Sequence, residues 1–116
     1  MTNNGWIGVD LDGTLAKYDY WRGNQHIGEP ILKMVERVKQ WLQEGKDVRI
    51  FTARVFQMEP DTENVIQCWC LKHIGHVLPI TCTKDYGMVE LWDDRCVQVI
   101  PNTGIALQDC INEGGL

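Results

Sequence analysis

Short apolar runs that end in polar or charged residues recur along the chain and predict β-strands. The first covers residues 6–9 and stops at Asp10, and its brevity and β-branched content are typical of a buried strand. A second strand is predicted over residues 47–52. Three further candidates follow, at residues 78–82, 89–92 and 97–100. The pattern therefore predicts a sheet of about five strands.

Two stretches carry apolar residues at the spacing of an amphipathic helix. The first runs from Pro30, which suits the first helical position, to a C-terminal cap at Gly45. Its apolar face consists of residues spaced three or four apart: Ile31, Met34, Val35, Val38, Trp41 and Leu42. The second helix is predicted from Pro60 to about Ile74 and is closed by Gly75.

The order β-α-β-α-β-β-β, with strands that look buried, favours a largely parallel sheet. We therefore expect an α/β fold of three layers in a single domain over residues 1–116. Only five residues separate Cys82 from Met88, whereas a parallel crossover normally needs a dozen or more. Either the helix of that crossover is reduced to a turn, or one of the two strands is misassigned.

Composition and charge narrow the range of partners. A net charge of −5 gives no long-range attraction to nucleic acid or to an anionic membrane, although a local basic patch remains compatible with it. No window approaches 18 apolar residues, and the N-terminus lacks the features of a secretory signal, so a cytoplasmic protein without a membrane partner is expected. No feature indicates an oligomer. The five cysteines and three histidines lack zinc-ligand spacing and are interpreted as mainly structural.

Polar side chains follow the ends of several predicted strands. In open α/β sheets, ligands bind beyond the carboxyl ends of the strands. The residues predicted to meet at this edge supply carboxylates, hydroxyls and cations: Asp10, Asp12, Thr14, Thr52, Arg54, Lys84, Asp93 and Asp94. Clustered carboxylates repel one another unless a hard cation joins them, and Mg²⁺ prefers carboxylates together with water and phosphate oxygens. Since Thr14 and Thr52 also offer donors to phosphoryl oxygens, the set indicates phosphoryl transfer.

The residue types suggest how the chemistry is divided. Asp10 with Asp93 or Asp94 is the natural set of Mg²⁺ ligands. A carboxylate can attack phosphorus to form an aspartyl-phosphate when the metal and Lys84 cancel the charge of the phosphate. Asp12 is placed to protonate the leaving oxygen and later to deprotonate water.

Each of these residues also has a purely structural interpretation. Asp12 and Gly13 form a common turn signal. Thr52 suits a strand residue or a helix cap, and Asp94 with Arg95 suits a solvated ion pair. The ordered combination of residues, rather than any one of them, favours a catalytic interpretation.

In this order the residues resemble the four motifs of the haloacid dehalogenase (HAD) superfamily of phosphatases and phosphotransferases. The motifs lie between residues 6 and 100 and read Val9-Asp10-Leu11-Asp12-Gly13-Thr14, Ile50-Phe51-Thr52, Lys84 and Leu91-Trp92-Asp93-Asp94. The resemblance implies a Rossmann-like α/β/α core, with Asp10 as the nucleophile and Asp12 as the general acid and base.

The resemblance also implies a ligand set and a phosphate site. Mg²⁺ would be held by Asp10, the backbone carbonyl of Asp12 and the acid of the fourth motif, either Asp93 or Asp94. The phosphoryl group would be held by Thr52 and by a lysine, which is Lys84 or, as the alternative, Lys17.

Within the superfamily, the second acidic position of the first motif separates the chemistries. Phosphatases and mutases carry Asp there, and this chain has Asp12. Hydrolysis of a phosphate monoester is therefore favoured over ATP-driven or dehalogenase chemistry. Residues 15–29 and 53–83 are too short to hold a cap domain. An uncapped site suits a large substrate, such as a phosphorylated nucleic-acid end, a protein or a lipid-linked group, or closure by another subunit. The chain is loosely similar to the 3′-phosphatase domain of polynucleotide kinases.

Residues near the expected mouth of the site offer contacts to such a substrate. The cations are Lys17, Arg22 and Arg54, and the aromatic rings are Tyr18, Tyr20 and Trp21. The aromatic residues equally suit a flap that covers the core. The competing functions are a phosphotransferase or small-nucleotide phosphatase of the same fold, and a HAD-like binding module without turnover.

Overall fold

In the part of the chain that the structure describes, the sheet has four parallel strands. The structure, a computed structural model, describes residues 5–56 and 59–112, so both ends of the predicted 1–116 domain lie outside the described residues. The strands are β1 (Trp6–Asp10), β2 (Asp47–Phe51), β3 (Ile80–Thr81) and β4 (Met88–Trp92), in the spatial order β3-β2-β1-β4. All neighbouring pairs are parallel. The prediction of an α/β fold with a parallel sheet is confirmed.

One face of the sheet forms part of the hydrophobic core. In the register of β1 with β2, Ile7 lies beside Val48 and Val9 lies beside Ile50. These four side chains are at most 5% exposed. Alternate residues of a strand point to opposite faces, so Trp6 lies on the other side of the sheet, where it too is buried. Burial on both faces explains the unbroken apolar run of β1.

Both long helices pack on the same face. The two predicted helices form as α1 (Leu32–Gln43) and α2 (Thr62–His73), and a short α3 (Leu107–Asn112) follows β4. The helices bury side chains in one cluster with the strands: Met34, Val35 and Val38 from α1, and Ile66, Trp69 and Cys70 from α2. Strands β1, β2 and β3 follow one another across the sheet in chain order, toward the same edge. Right-handed crossovers in that direction place both helices on the same face. No helix in the described part of the chain is long and apolar enough to span a membrane.

The predicted third layer is not confirmed. Residues 82–87 connect β3 to β4 without a helix, so the crossover is reduced to a short segment and both flanking strands are real. The Asp85 carboxylate accepts hydrogen bonds from Trp6 Nε1 (2.9 Å) and from the Gly87 backbone nitrogen (2.8 Å). These bonds tie the connection to the face of the sheet opposite α1 and α2.

The predicted fifth strand at residues 97–100 is not confirmed either. This segment makes an isolated antiparallel bridge between Val99 and Ala106. The Ile100 nitrogen donates to the Ile105 carbonyl (2.9 Å) across a local turn. The apolar alternation of this segment is therefore used in local pairing and not in the sheet.

The cysteines and histidines include clear packing residues. All five cysteines are free thiols. Burial raises the pKa of the Cys70 thiol to about 12, which keeps it protonated and unreactive. The ring of His73 lies against Trp69, with centroids 4.7 Å apart. These placements agree with the structural interpretation of both residues.

Candidate active site

A cleft of about 580 Å³ opens beyond the carboxyl ends of β1, β2 and β4. Six of the eight predicted site residues line it: Asp10, Asp12, Thr52, Arg54, Asp93 and Asp94. They arrive from three separate strand ends, because parallel strands bring their carboxyl ends to one edge of the sheet. The structure thus assembles the predicted carboxylates in one place.

Apolar side chains anchor the loop after β1 to the hydrophobic core. Leu11, Leu15 and Ala16 are fully buried. The backbone nitrogens of Leu15 and Ala16 donate to the Leu11 carbonyl at 3.0 and 2.8 Å. Gly13 has a φ of +96°, a conformation that residues with a Cβ rarely adopt. The alternation of buried and polar residues therefore presents Asp10 and Asp12 to the cleft.

Three carboxylates form what we call the acidic cluster: Asp10, Asp93 and Asp94. One oxygen from each lies within 4.8 Å of the others. None of the three forms an ion pair with a lysine or arginine in the part of the chain that the structure describes. Burial, followed by the charges of Asp93 and Asp94, raises the pKa of Asp10 to about 7. The cluster therefore concentrates negative charge without a balancing side chain.

Gly13 and Thr14 set the shape of the acidic cluster. A Cβ on Gly13 would lie 2.6 Å from Asp94 Oδ2, so only glycine lets that carboxylate approach the loop. The Thr14 hydroxyl lies 3.2 Å from Asp94 Oδ1 and 3.4 Å from Asp10 Oδ2, and it accepts from the Asp94 nitrogen at 3.0 Å. Thr14, predicted to contact substrate, does not line the cleft. It joins the loop after β1 to the loop after β4.

Asp12 is in a different environment from the acidic cluster. Arg54 donates to both of its carboxylate oxygens, from Nε at 2.7 Å and from Nη2 at 2.9 Å. The Arg54 side chain is 5% exposed and that of Asp12 19%. The Trp21 ring covers the guanidinium, with its centroid 4.8 Å from Cζ. Arg54, predicted to bind substrate, is thus engaged with a carboxylate of the protein.

Thr52 follows β2 and is buried at the base of the cleft. Its side-chain oxygen accepts a hydrogen bond from the Arg54 nitrogen at 3.1 Å and caps a 3-10 turn at Ala53–Val55. Its own nitrogen donates to the Thr81 carbonyl at 2.9 Å. The cap proposed as the structural alternative is therefore present, and the hydroxyl proton of Thr52 still has the cleft within reach.

The structure does not bring either predicted lysine into the cleft. Lys84 is exposed in the connection between β3 and β4, and Lys17 is exposed beyond the loop after β1. Neither lines the cleft, whose cationic lining residues are Arg54 and Arg95. The sequence gives Arg95 no predicted role in the site beyond its place in the run Asp93-Asp94-Arg95, which is part of the likeness to polynucleotide kinase 3′-phosphatases, and the structural alternative is a solvated pair with Asp94.

Sequence reasoning also missed Asn24. Its side-chain oxygen accepts from Thr62 Oγ1 at 2.8 Å, and its Nδ2 donates to the Pro60 carbonyl at 3.1 Å. These bonds connect the segment around Asn24, which lines the cleft, to the start of α2. No motif or periodicity marks this asparagine, because its partners are distant in sequence.

Aromatic side chains surround the opening of the cleft. Tyr18, Trp21, Phe51 and Phe56 all line it. Trp21 is 53% exposed and Phe56 76%, so both rings present a face to solvent. Tyr18 and Trp21 thus lie at the cleft where the sequence places them, whereas Tyr20 does not line it.

Comparisons with known proteins support the fold but do not indicate an activity. No protein-family model matches the sequence, and no curated protein matches it. Among solved structures, the chain is similar to a conserved protein from Bacteroides thetaiotaomicron, with 25% sequence identity and a TM-score of 0.59. The match covers 97% of this chain and 93% of that one. It supports an α/β architecture with a parallel sheet.

Proposed function

We propose that this protein is a Mg²⁺-dependent phosphatase of the HAD type that hydrolyses a phosphate monoester through an aspartyl-phosphate on Asp10. The observation that carries the proposal is the acidic cluster, which forms no ion pair with a lysine or arginine among the described residues and lies at the carboxyl end of a parallel sheet. Asp12 lies beside it in the same cleft. The first and fourth motifs of the sequence supply these carboxylates, and Thr52 of the second motif lines the same cleft.

The acidic cluster fits a hard divalent cation. One oxygen from each carboxylate lies within 4.8 Å of the others. Burial first, and the neighbouring carboxylates second, raise the pKa of Asp10, and a bound cation would offset both effects. Asp10, the backbone carbonyl of Asp12, and Asp93 or Asp94 would hold Mg²⁺. When bound, the ion neutralises charge on the phosphoryl oxygens and so lets a carboxylate approach phosphorus.

Asp10 and Asp12 then divide the reaction. A carboxylate oxygen of Asp10 forms a bond to phosphorus as the bond from phosphorus to the leaving oxygen breaks, and Asp12 gives that oxygen its proton. In the second step Asp12 takes a proton from water as the water oxygen attacks phosphorus. The bond between phosphorus and Asp10 breaks, and both carboxyl groups return to their starting state with phosphate as product.

The remaining residues bind the phosphoryl group. The Thr52 hydroxyl can donate to one of its oxygens. Arg95 lines the cleft, and its charge can neutralise that of the phosphoryl group, whereas Lys84, the lysine of the resemblance, is exposed outside the cleft. Comparison of Lys84→Ala with Arg95→Ala tests this assignment. The KM for phosphate esters should rise for Arg95→Ala, and a rise confined to Lys84→Ala would show that Lys84 binds the phosphoryl group.

The shape of the cleft supports a substrate that carries a nucleobase. No cap closes over it in the described chain, and the exposed rings of Trp21 and Phe56 offer stacking faces in the cleft that also holds the acidic cluster. Base stacking on an aromatic ring contributes roughly 1–3 kcal/mol. We therefore favour a nucleotide or a phosphorylated nucleic-acid end over a sugar phosphate.

A phosphatase screen with and without Mg²⁺ tests the function. The substrates are an aryl phosphate, an alkyl phosphate, a sugar phosphate, a mononucleotide and a 3′-phosphorylated oligonucleotide, and Asp10→Asn is the control for contaminating activity. We expect Mg²⁺-dependent phosphate release, fastest from the base-bearing substrates. No release from any of the five would contradict the phosphatase proposal, and phosphate moved to an added alcohol instead of water would identify a phosphotransferase.

A further inference from the structure

We infer that Arg54 is a positioning residue for Asp12 and not a ligand of the substrate phosphate. The inference rests on the proposed function, in which Asp12 is the general acid and base. It changes the role that the sequence predicts for Arg54, which is substrate binding.

The donors of Arg54 are almost fully used within the protein. A guanidinium has five N–H groups. Nε donates to Asp12, both hydrogens of Nη2 are taken by Asp12 and the His26 carbonyl (2.8 Å), and one of Nη1 reaches the Asn24 carbonyl at 3.4 Å. One N–H therefore remains, and Arg54 cannot grip a phosphate with its two-pronged fork without releasing Asp12.

The surroundings hold the guanidinium in this place. Residues 17–29, which we call the strap, are closed at their base by a bond from the Lys17 nitrogen to the Glu29 carbonyl (2.8 Å). The strap is attached to α2 through the Gly28 carbonyl, which accepts from Trp69 Nε1 at 3.0 Å, and through Asn24. Arg54 lies between the strap and Asp12, with the Trp21 ring over it. Both carbonyl partners of Arg54 belong to this anchored strap.

The ion pair with Arg54 fixes the orientation of the Asp12 carboxyl group and leaves acceptor positions on both of its oxygens available. Each oxygen accepts one bond from Arg54 and keeps a second lone pair, and Asp12 still lines the cleft. In the proposed reaction, the proton that Asp12 gives to the leaving oxygen and later takes from water is held at one of these remaining lone pairs. A short aspartate side chain without this fork is free to rotate. Misplacement of a reacting group by about 1 Å costs on the order of 10²-fold in rate, so Arg54 acts on the reaction through the geometry of Asp12.

Steady-state kinetics with two leaving groups test the inference. We expect Arg54→Ala to lower kcat on the order of 10²-fold for an alkyl phosphate and less for an aryl phosphate, whose leaving oxygen needs little protonation, with KM unchanged. The double variant Asp12→Asn/Arg54→Ala should be no slower than Asp12→Asn alone, because the two residues act as a unit. Millimolar guanidinium chloride should partly restore Arg54→Ala and leave the double variant unchanged.

Arg49→Ala is the matched control. Arg49 also makes a two-pronged contact with a carboxylate, Asp47, and lies over the Trp6 ring, but it does not line the cleft. We expect this variant to keep wild-type kinetics and to show no response to guanidinium. Circular dichroism checks that each variant folds. If Arg54→Ala does not fold, Arg54→Lys, which keeps the charge and loses the fork, should show the same dependence on leaving group.

Three results would overturn the inference: a raised KM with unchanged kcat, equal losses for the two leaving groups, or losses that multiply in the double variant. Each would make Arg54 a phosphate ligand. If the wild-type protein releases no phosphate from any substrate, the proposed function fails, and crystal structures of wild-type protein and Arg54→Ala decide the positioning role alone. An Asp12 side chain that keeps its orientation without Arg54 would then refute it.

Discussion

Asp10, the last residue of β1, and Asp12, in the loop that follows, are two residues apart in one cleft, yet their charge environments are opposite. Asp10 belongs to the acidic cluster, whose carboxylates face one another without an ion pair among the described residues, and its pKa is raised to about 7. Asp12 is held on both oxygens by the buried guanidinium of Arg54. The difference comes from partners that lie 42 to 84 positions away in sequence.

The contrast explains how one loop can support two kinds of chemistry. A carboxylate cluster without a balancing side chain is a site for a cation from solution and for an attacking oxygen. A carboxylate paired with a buried arginine is held in place and keeps its free lone pairs toward the cleft. Changes on either side of this comparison should therefore have separable effects.

The largest effect is expected from the acidic cluster. Asp10→Asn should reduce turnover on the order of 10⁴-fold or more, because an amide is a poor nucleophile and a poor metal ligand. The fold should persist, since the substitution removes a repulsive charge. Phosphate release and circular dichroism measure the two outcomes. Turnover close to that of the wild type would remove Asp10 from the mechanism and with it one side of the comparison.

On the other side, Asp12→Asn should slow each step that depends on proton transfer on the order of 10²- to 10⁴-fold. Formation of the aspartyl-phosphate should suffer less with an aryl than with an alkyl phosphate, whereas its hydrolysis should be slow with both. Burst kinetics separate the two steps. Equal first-step losses with no slowing of hydrolysis would leave Asp12 as a turn residue and metal ligand only.

Gly13→Ala should damage the acidic cluster and spare the Asp12–Arg54 pair. The added Cβ would lie 2.6 Å from Asp94 Oδ2, at a φ of +96°, and we expect a loss of roughly 1–3 kcal/mol in the free energy of unfolding together with weaker Mg²⁺ binding. Gly45→Ala is the control, because its φ is +81° and its Cβ would meet no atom within 4 Å. Calorimetry should find weaker Mg²⁺ binding only for Gly13→Ala. Equal Mg²⁺ affinity in both variants would contradict the proposed cluster geometry.

The smallest effect is a pH dependence of stability in the metal-free protein. The pKa of Asp10 is about 7 when folded and 3.8 ordinarily, so between these values the folded state binds more protons than the unfolded state. The free energy of unfolding should therefore decrease as pH rises from about 4 to 7, by ~1 kcal/mol once solvent screening of this partly exposed carboxyl is allowed for.

Thermal melts measure this decline, and Asp10→Asn should lack it. Millimolar Mg²⁺ should raise the melting temperature more at pH 7.5 than at pH 5, because ligands must be deprotonated to bind and a bound ion stabilises the folded state. A stabilisation by Mg²⁺ that is the same at both pH values would show that the ion binds elsewhere.

Several elements of the fold follow from local patterns. The spacing of apolar residues and the caps at Gly45 and Gly75 predict α1 and α2 to within two or three residues, because helix periodicity and chain reversal are local properties. The apolar run before Asp10 predicts β1 in the same way. By contrast, residues 97–100 have the alternation of a strand but pair with the segment that follows them, through a bridge between Val99 and Ala106. A strand pattern does not specify its partner.

The positions of the site residues also depend partly on local sequence and partly on tertiary packing. The sequence by itself determined which carboxylates reach the edge of the sheet, because the carboxyl ends of parallel strands must meet there. Tertiary structure alone decided that Arg54 engages Asp12, that Lys84 lies outside the cleft, and that Arg95 lines it. Long, flexible cationic side chains take the partner that the folded chain brings within reach, and that distance is a property of loops packed together and not of any single segment.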